Sequence, residues 1–199
     1  LVIRSDLNPQ RGDLNIVKGL RLGAAPGVNL SLQRMLVAAG IDPDKHKVQI
    51  MPIPGAAGPN VSFGLSAAKA LEEGKLDGFW VNGMGCEVAV RRGVGTMVLD
   101  VRRGDGPAAA RDYTFSALVA TEKTIAVATD AARAAIRALM KAHKALKADV
   151  NLATAVGRKR FPPSEAELIA ELVRRDLPYY DANISQEKVA SMNRFAQDI

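Results

Sequence analysis

The chain has 199 residues, of which 48% are hydrophobic, 24% charged and 5% aromatic, with one Cys, two His and a formal net charge of +6. That length suits one large domain or two small lobes, and the composition excludes a disordered or collagen-like chain. Cys86 has no second cysteine to pair with, His46 and His143 share no ligand spacing, and no apolar run nears the roughly 18 residues of a membrane span, so disulfide scaffold, metal centre and membrane span are poor readings.

In chain order, Leu1-Val2-Ile3 opens as an apolar strand with no basic n-region, h-region or cleavage site, so either a targeting sequence is removed or the chain is part of a longer protein. Lys18–Gly23 reads as a buried strand, followed by the loop Ala24-Ala25-Pro26-Gly27. A helix then runs from about Asn29 to Ala39, with Gly40 as its stop. Lys47–Ile53 is the next strand, ending at Pro54-Gly55. A second helix starts near Pro59-Asn60 and turns Phe63, Ala67, Ala70 and Leu71 inward. Leu76–Val81 is a third strand, Asn82-Gly83-Met84-Gly85 a loop, Cys86–Arg92 a short helix and Gly95–Val101 a fourth strand. Strands alternating with helices through Gly/Pro loops predict an α/β unit with a mainly parallel sheet.

The second half differs. Ser116–Thr121 is strand-like, and three helical segments follow: Asp130–Lys147 with Ile136, Leu139, Met140, His143 and Leu146 on one face, Glu165–Arg175, and Gln186–Gln197 with Val189, Met192 and Phe195 inward. Ser164 with Glu167 fits a capping box. These helices have large apolar faces and little sheet to cover them, so a partner chain or preceding sequence is expected to complete their core.

The basic charge is evenly spread: residues 1–110 carry 13 Lys/Arg against 10 Asp/Glu, and residues 111–199 carry 14 against 11. Nucleic-acid binding concentrates such charge on one element with aromatics between, and the densest run here, Arg158-Lys159-Arg160, reads as a solvated loop. No nucleic-acid partner is expected, although a modest positive potential favours an anionic ligand.

Ligands of an open parallel sheet bind beyond the carboxyl ends of its strands. Three predicted loops converge there, Ala24–Asn29, Pro54–Asn60 and Asn82–Cys86, each opening a helix whose free N–H groups favour an anion or polar acceptor. Taken singly, each is also an ordinary tight connection. The candidate ligand-binding residues are Pro26, Gly27, Asn29, Pro54, Gly55, Trp80, Asn82, Gly83 and Met84, with Trp80 as an apolar wall and Asn82 as both donor and acceptor. Dinucleotide and Walker A spacings are absent. His143 lies on an apolar helix stripe and His46 in a polar turn, Ser62 and Ser66 lack a nucleophile elbow, and Cys86 is better read as a small packed residue than as a thiolate. Binding without catalysis, metal or cofactor is the reading these residues support.

The order of segments resembles the periplasmic solute-binding proteins of ABC importers, in the nitrate/sulfonate/taurine branch that includes thiamine-precursor binders. The resemblance rests on LVIRSD at Leu1–Asp6, IVKGLRLG at Ile16–Gly23, ALEEGKLDGFW at Ala70–Trp80, YTFSALVATEKTI at Tyr113–Ile125, the helix Ala131–Leu146 and the ending Pro178–Ile199. It implies a two-lobed type II architecture with the second lobe complete and the first partial. Residues 1–6 would be an outgoing hinge strand, 7–112 the second lobe, 113–122 a returning hinge strand and 123–199 helices of the first lobe. It further implies a periplasmic, monomeric receptor that hands a small sulfonate-, nitrate- or carboxylate-like molecule to a membrane permease. The family's ligand loops carry over to Pro26, Gly27 and Asn29, and to Trp80, Asn82 and Gly83. Met84 departs from the small or polar residue expected there and leaves room for an apolar or aromatic ligand portion. The family has further α/β chain before its first hinge strand that this sequence lacks. The same architecture also serves effector-sensing domains of transcription regulators and enzymes of menaquinone and thiamine-precursor pathways, which stay open as alternatives.

Overall fold

The structure, a computed structural model, describes residues 1–58, 62–113 and 116–199, and of Ser164 only the backbone. It divides into two compact units, Leu1–Thr114 with Gln186–Ile199, and Phe115–Ser185.

The first unit is α/β. Five strands, β1 (Val2–Arg4), β2 (Arg21–Ala24), β3 (Gln49–Pro52), β4 (Gly78–Trp80) and β5 (Gly95–Met97), lie in the order β3-β2-β4-β1-β5. β2 is parallel to β3 and β4, whereas β1 runs antiparallel to both β4 and β5. The sheet is therefore mixed rather than mainly parallel. Side chains alternate across it. Ile3, Leu22 and Trp80 face one core with Leu32, Met35 and Leu36 of α1 (Val28–Ala38) and Tyr113 of α4 (Ala108–Tyr113). Val2 and Phe79 face the other, with Ala67 and Leu71 of α2 (Phe63–Glu72) and Cys86 and Ala89 of α3 (Gly83–Arg91). Phe63, expected inward, is 39% exposed, because it occupies the first turn of α2 ahead of the buried stripe.

Small residues set the spacing of α2 and α3. A Cβ on Gly64 would lie 2.9 Å from the Gly85 backbone, so the two helices touch main chain to main chain. At the opposite sheet edge, Asp77 binds β2: its Oδ2 accepts from the Arg21 backbone N–H and Nε, both at 2.9 Å, and its Oδ1 from Arg21 Nη2 at 2.8 Å. Arg4 adds a longer pair to Asp77 and a close one to Asp6.

The second unit is helical: α5 (Glu122–Val127), α6 (Thr129–Ala148), α7 (Asn151–Arg160) and α8 (Pro163–Asp176), followed by a 3-10 turn over Leu177–Tyr179. α7 and α8 pack through Gly157 and Ala166, burying Leu168 and Ala170. Three expectations fail in this half. Ser116–Thr121 is unpaired, with Leu118 and Val119 exposed and Thr121 capping α5. Its β-branched residues favour a strand only where a sheet surface receives them. Arg158-Lys159-Arg160 is the last turn of α7, where cations complement the carbonyl end of the helix, and not a loop. α8 starts at Pro163 with Pro162 as its N-cap, so Ser164 lies inside the helix and not at the predicted capping position. α6 buries none of its residues, and Ile136, Leu139 and Met140 are each about half exposed. The last helix, α9 (Gln186–Asp198), belongs to the first unit.

Candidate functional site

The parallel register puts three strand ends side by side, Ala24 opposite both Pro52 and Trp80. The three predicted loops thus leave from one edge of the sheet; Pro59 and Asn60 of the middle loop lie outside the described residues. α1 leads from β2 to β3 at one side, while α3 leads from β4 past β1 to β5 at the other. Adjacent connections departing in opposite directions mark a topological switch point, the place where open α/β sheets bind ligands, here between residues 25–27 and 81–83.

The three helix starts differ. Asn82 caps α3, its Oδ1 accepting from the Gly85 N–H at 3.3 Å, and Ser62 caps α2 by accepting from the Leu65 N–H at 3.3 Å. α1 has no side-chain cap. Its N-cap is Gly27 at φ +81°, a left-handed conformation that a Cβ would strain. The Asn29 N–H is used by Ala25 O at 3.0 Å, and Asn29 itself is half-buried. Pro26 and Gly27 are exposed.

The other candidates settle as follows. The α3 helix begins at Gly83, so Gly83 and Met84 form its first turn and not a loop, because the Asn82 cap nucleates the helix earlier than the glycines suggest. The Asn82 side-chain oxygen is engaged in this cap. Trp80 is no open wall: it is 7% exposed and packs beneath α1, where its Nε1 donates to Ser31 Oγ at 3.1 Å. Ser31 Oγ in turn donates to Val28 O at 2.8 Å. Pro54 and Gly55 form the turn after β3, and Gly55 O accepts from Ser66 Oγ at 3.4 Å.

A charged cluster at the same edge escaped sequence reasoning. Just beyond β5, buried Asp100 receives a two-pronged bond from Arg102, Nε to Oδ1 at 2.9 Å and Nη2 to Oδ2 at 2.8 Å, and Arg103 lies 3.4 Å away. Asp105 accepts from the Asp100 N–H and pairs with Arg11, both at 2.9 Å. Burial pushes the Asp100 carboxyl up, but Arg102 and Arg103 outweigh it and hold it below the ordinary range. The D-V-R-R-G-D spacing was the available signal. The cluster stands two strands from β4, roughly 10 Å along the edge.

Reactive groups are placed elsewhere or muted. Cys86 is buried and its thiol is pushed up by desolvation, the opposite of an activated thiolate. His46 Nδ1 meets Asp42 O at 2.9 Å on an exposed turn, and the His143 ring lies 5.6 Å from that of Tyr180. Among the described residues no three His, Cys, Asp or Glu side chains gather as a metal site, and no helix is long and apolar enough to cross a membrane. Comparison with protein-family models, curated proteins and solved structures gives no match.

Proposed function

We propose that the chain is part of the solute receptor of an ABC-type importer, a two-lobed protein of the type II kind whose second lobe is residues 7–112. The observation that carries this reading is the row of three strand ends, with the unblocked start of α1 beside the switch in chain direction, where a ligand crevice is expected. Uncapped N–H groups at Gly27 and Val28 suit a small sulfonate-, nitrate- or carboxylate-like anion, and the amides of Asn29, in the first turn of α1, and Asn82, at the N-cap of α3, stand at the two helix starts beside it. The direction of β1 supports the two-lobed reading. Being antiparallel to β4, it starts at the same edge as the ligand loops, as a strand crossing over from another lobe would. The half-exposed face of α6 supports it too, since a further layer of a first lobe would cover that face.

In this reading the receptor captures its ligand without chemistry, and among the described residues no nucleophile and base stand together at the three strand ends. Closure of the two lobes is a hinge motion stabilised by ligand contacts to both. The periplasmic setting and the permease partner rest on the resemblance of the segments alone.

Thermal unfolding against sulfonates, nitrate, aromatic acids, pyrimidines and neutral amides tests the reading, with recovered ligand checked by mass. Ligand at a hundred times Kd stabilises by about 2.7 kcal/mol, or roughly 5–10 °C for a chain of this size. Gly27→Ala should abolish the shift. An unaltered midpoint across the panel, or a ligand recovered as product, would overturn the proposal.

A further inference from the structure

The helix α9 returns to the first unit after an excursion of 71 residues through the second. It docks by one narrow stripe: only Lys188, Ser191, Met192 and Phe195 are even partly covered, at the i, i+3, i+4, i+7 spacing of a single helix face. Val189, expected inward, is 48% exposed because it falls off that face. The anchor is Phe195, whose ring stacks on Tyr113 of α4 with centroids 4.8 Å apart and planes at 22°. Asp198 closes the far end by accepting from Arg34 Nε of α1 at 2.9 Å, through side chains that are both about a third or more exposed and so contribute little.

This seat is imperfect. Tyr113 is 7% exposed, and its hydroxyl has no hydrogen-bond partner. A buried hydroxyl without a partner disfavours the docked arrangement relative to one in which water reaches it. The residues leading into α9, 181–185, are exposed throughout.

We propose that α9 is a releasable strap on the α1–α4 face of the first unit. Docked, it brings the chain back onto the first unit after residues 115–185; released, that return is lost. A small apolar stripe, an exposed ion pair and an unpaired phenol set its opening well below global unfolding, among the low-stability segments from which moving elements are drawn. The proposal does not depend on what the crevice binds.

Native-state hydrogen exchange on the full chain tests it. Amides of residues 189–197 should exchange at least tenfold faster than those of β2 and β4, through an opening of their own. Tyr113→Phe, which removes the unpaired hydroxyl, should slow α9 by about fivefold or more and leave the sheet's relative protection behind it unchanged. Phe195→Ala should erase protection of α9 while β2 and β4 keep theirs and Trp80 emission stays native. Exchange of α9 in step with the sheet, loss of sheet protection in Phe195→Ala, or no slowing in Tyr113→Phe would each overturn the strap.

Discussion

Asp77 is the side chain through which three strands are pinned at one edge, and replacing it by Asn tests how that edge is held. In the folded chain its carboxylate takes three bonds from Arg21 at 2.8–2.9 Å, one of them from a backbone N–H, while Arg4 stands 3.5 Å away. Bonds to a charged group are worth about 1.5–3 kcal/mol where buried, and partial exposure of the arginine heads reduces this, so Asp77→Asn should cost about 2 kcal/mol at pH 7. With an m-value near 2 kcal/mol/M in urea, the midpoint falls by about 1 M. Trp80 is the sole tryptophan and is buried on β4, so its emission reads the first unit directly. Arg21's hydrogen bonds hold the Asp77 carboxyl below its ordinary value of 3.8, against the smaller opposing push of burial. A carboxyl depressed in the folded state contributes its full stability above the unfolded value and loses it as pH falls through the folded one. The gap between wild type and Asn should therefore narrow below about pH 4. A variant within about 0.5 kcal/mol of wild type at pH 7, or a gap unchanged at pH 3, would refute this account.

Other substitutions probe separate links. Gly85→Ala places a Cβ 2.5 Å from Gly64 O, where only backbone can give way, and should cost about 3 kcal/mol by urea unfolding. Leu36→Ala, which truncates a fully buried side chain on the inner face of α1, should cost about 2–5 kcal/mol in the same assay, depending on how far the cavity collapses. Ser31→Ala strips the Trp80 indole of its acceptor and should cost about 1 kcal/mol, with a shift in Trp80 emission that Ser31→Thr does not produce. Ile136→Ser on α6 should leave the unfolding free energy from urea titration within about 0.5 kcal/mol of wild type and lower light scattering at high concentration, since that side chain is 56% exposed.

Local pattern by itself determined much of this chain. Glycine and proline punctuation with alternating apolar periods placed β2, β3 and β4, and α1, α6, α8 and α9, close to where they lie. It placed three loops at one strand edge, and the register of Ala24, Pro52 and Trp80 bears that out. Nearest-neighbour chemistry suffices there, because turns and helix faces are properties of a few adjacent residues. The tertiary structure decided what depends on partners distant in sequence. Ser116–Thr121 has the side chains of a strand but no strand to pair with, so propensity yields to the missing neighbour. Trp80 reads as a cleft wall until Ser31, 49 residues earlier, takes its indole N–H and draws it under α1. The Asp100 cluster needs Arg11 and Asp105 brought together across the sheet edge, and α9 needs Tyr113 beneath Phe195. A sequence period tells which face of an element is apolar; only the folded chain shows which surface that face meets.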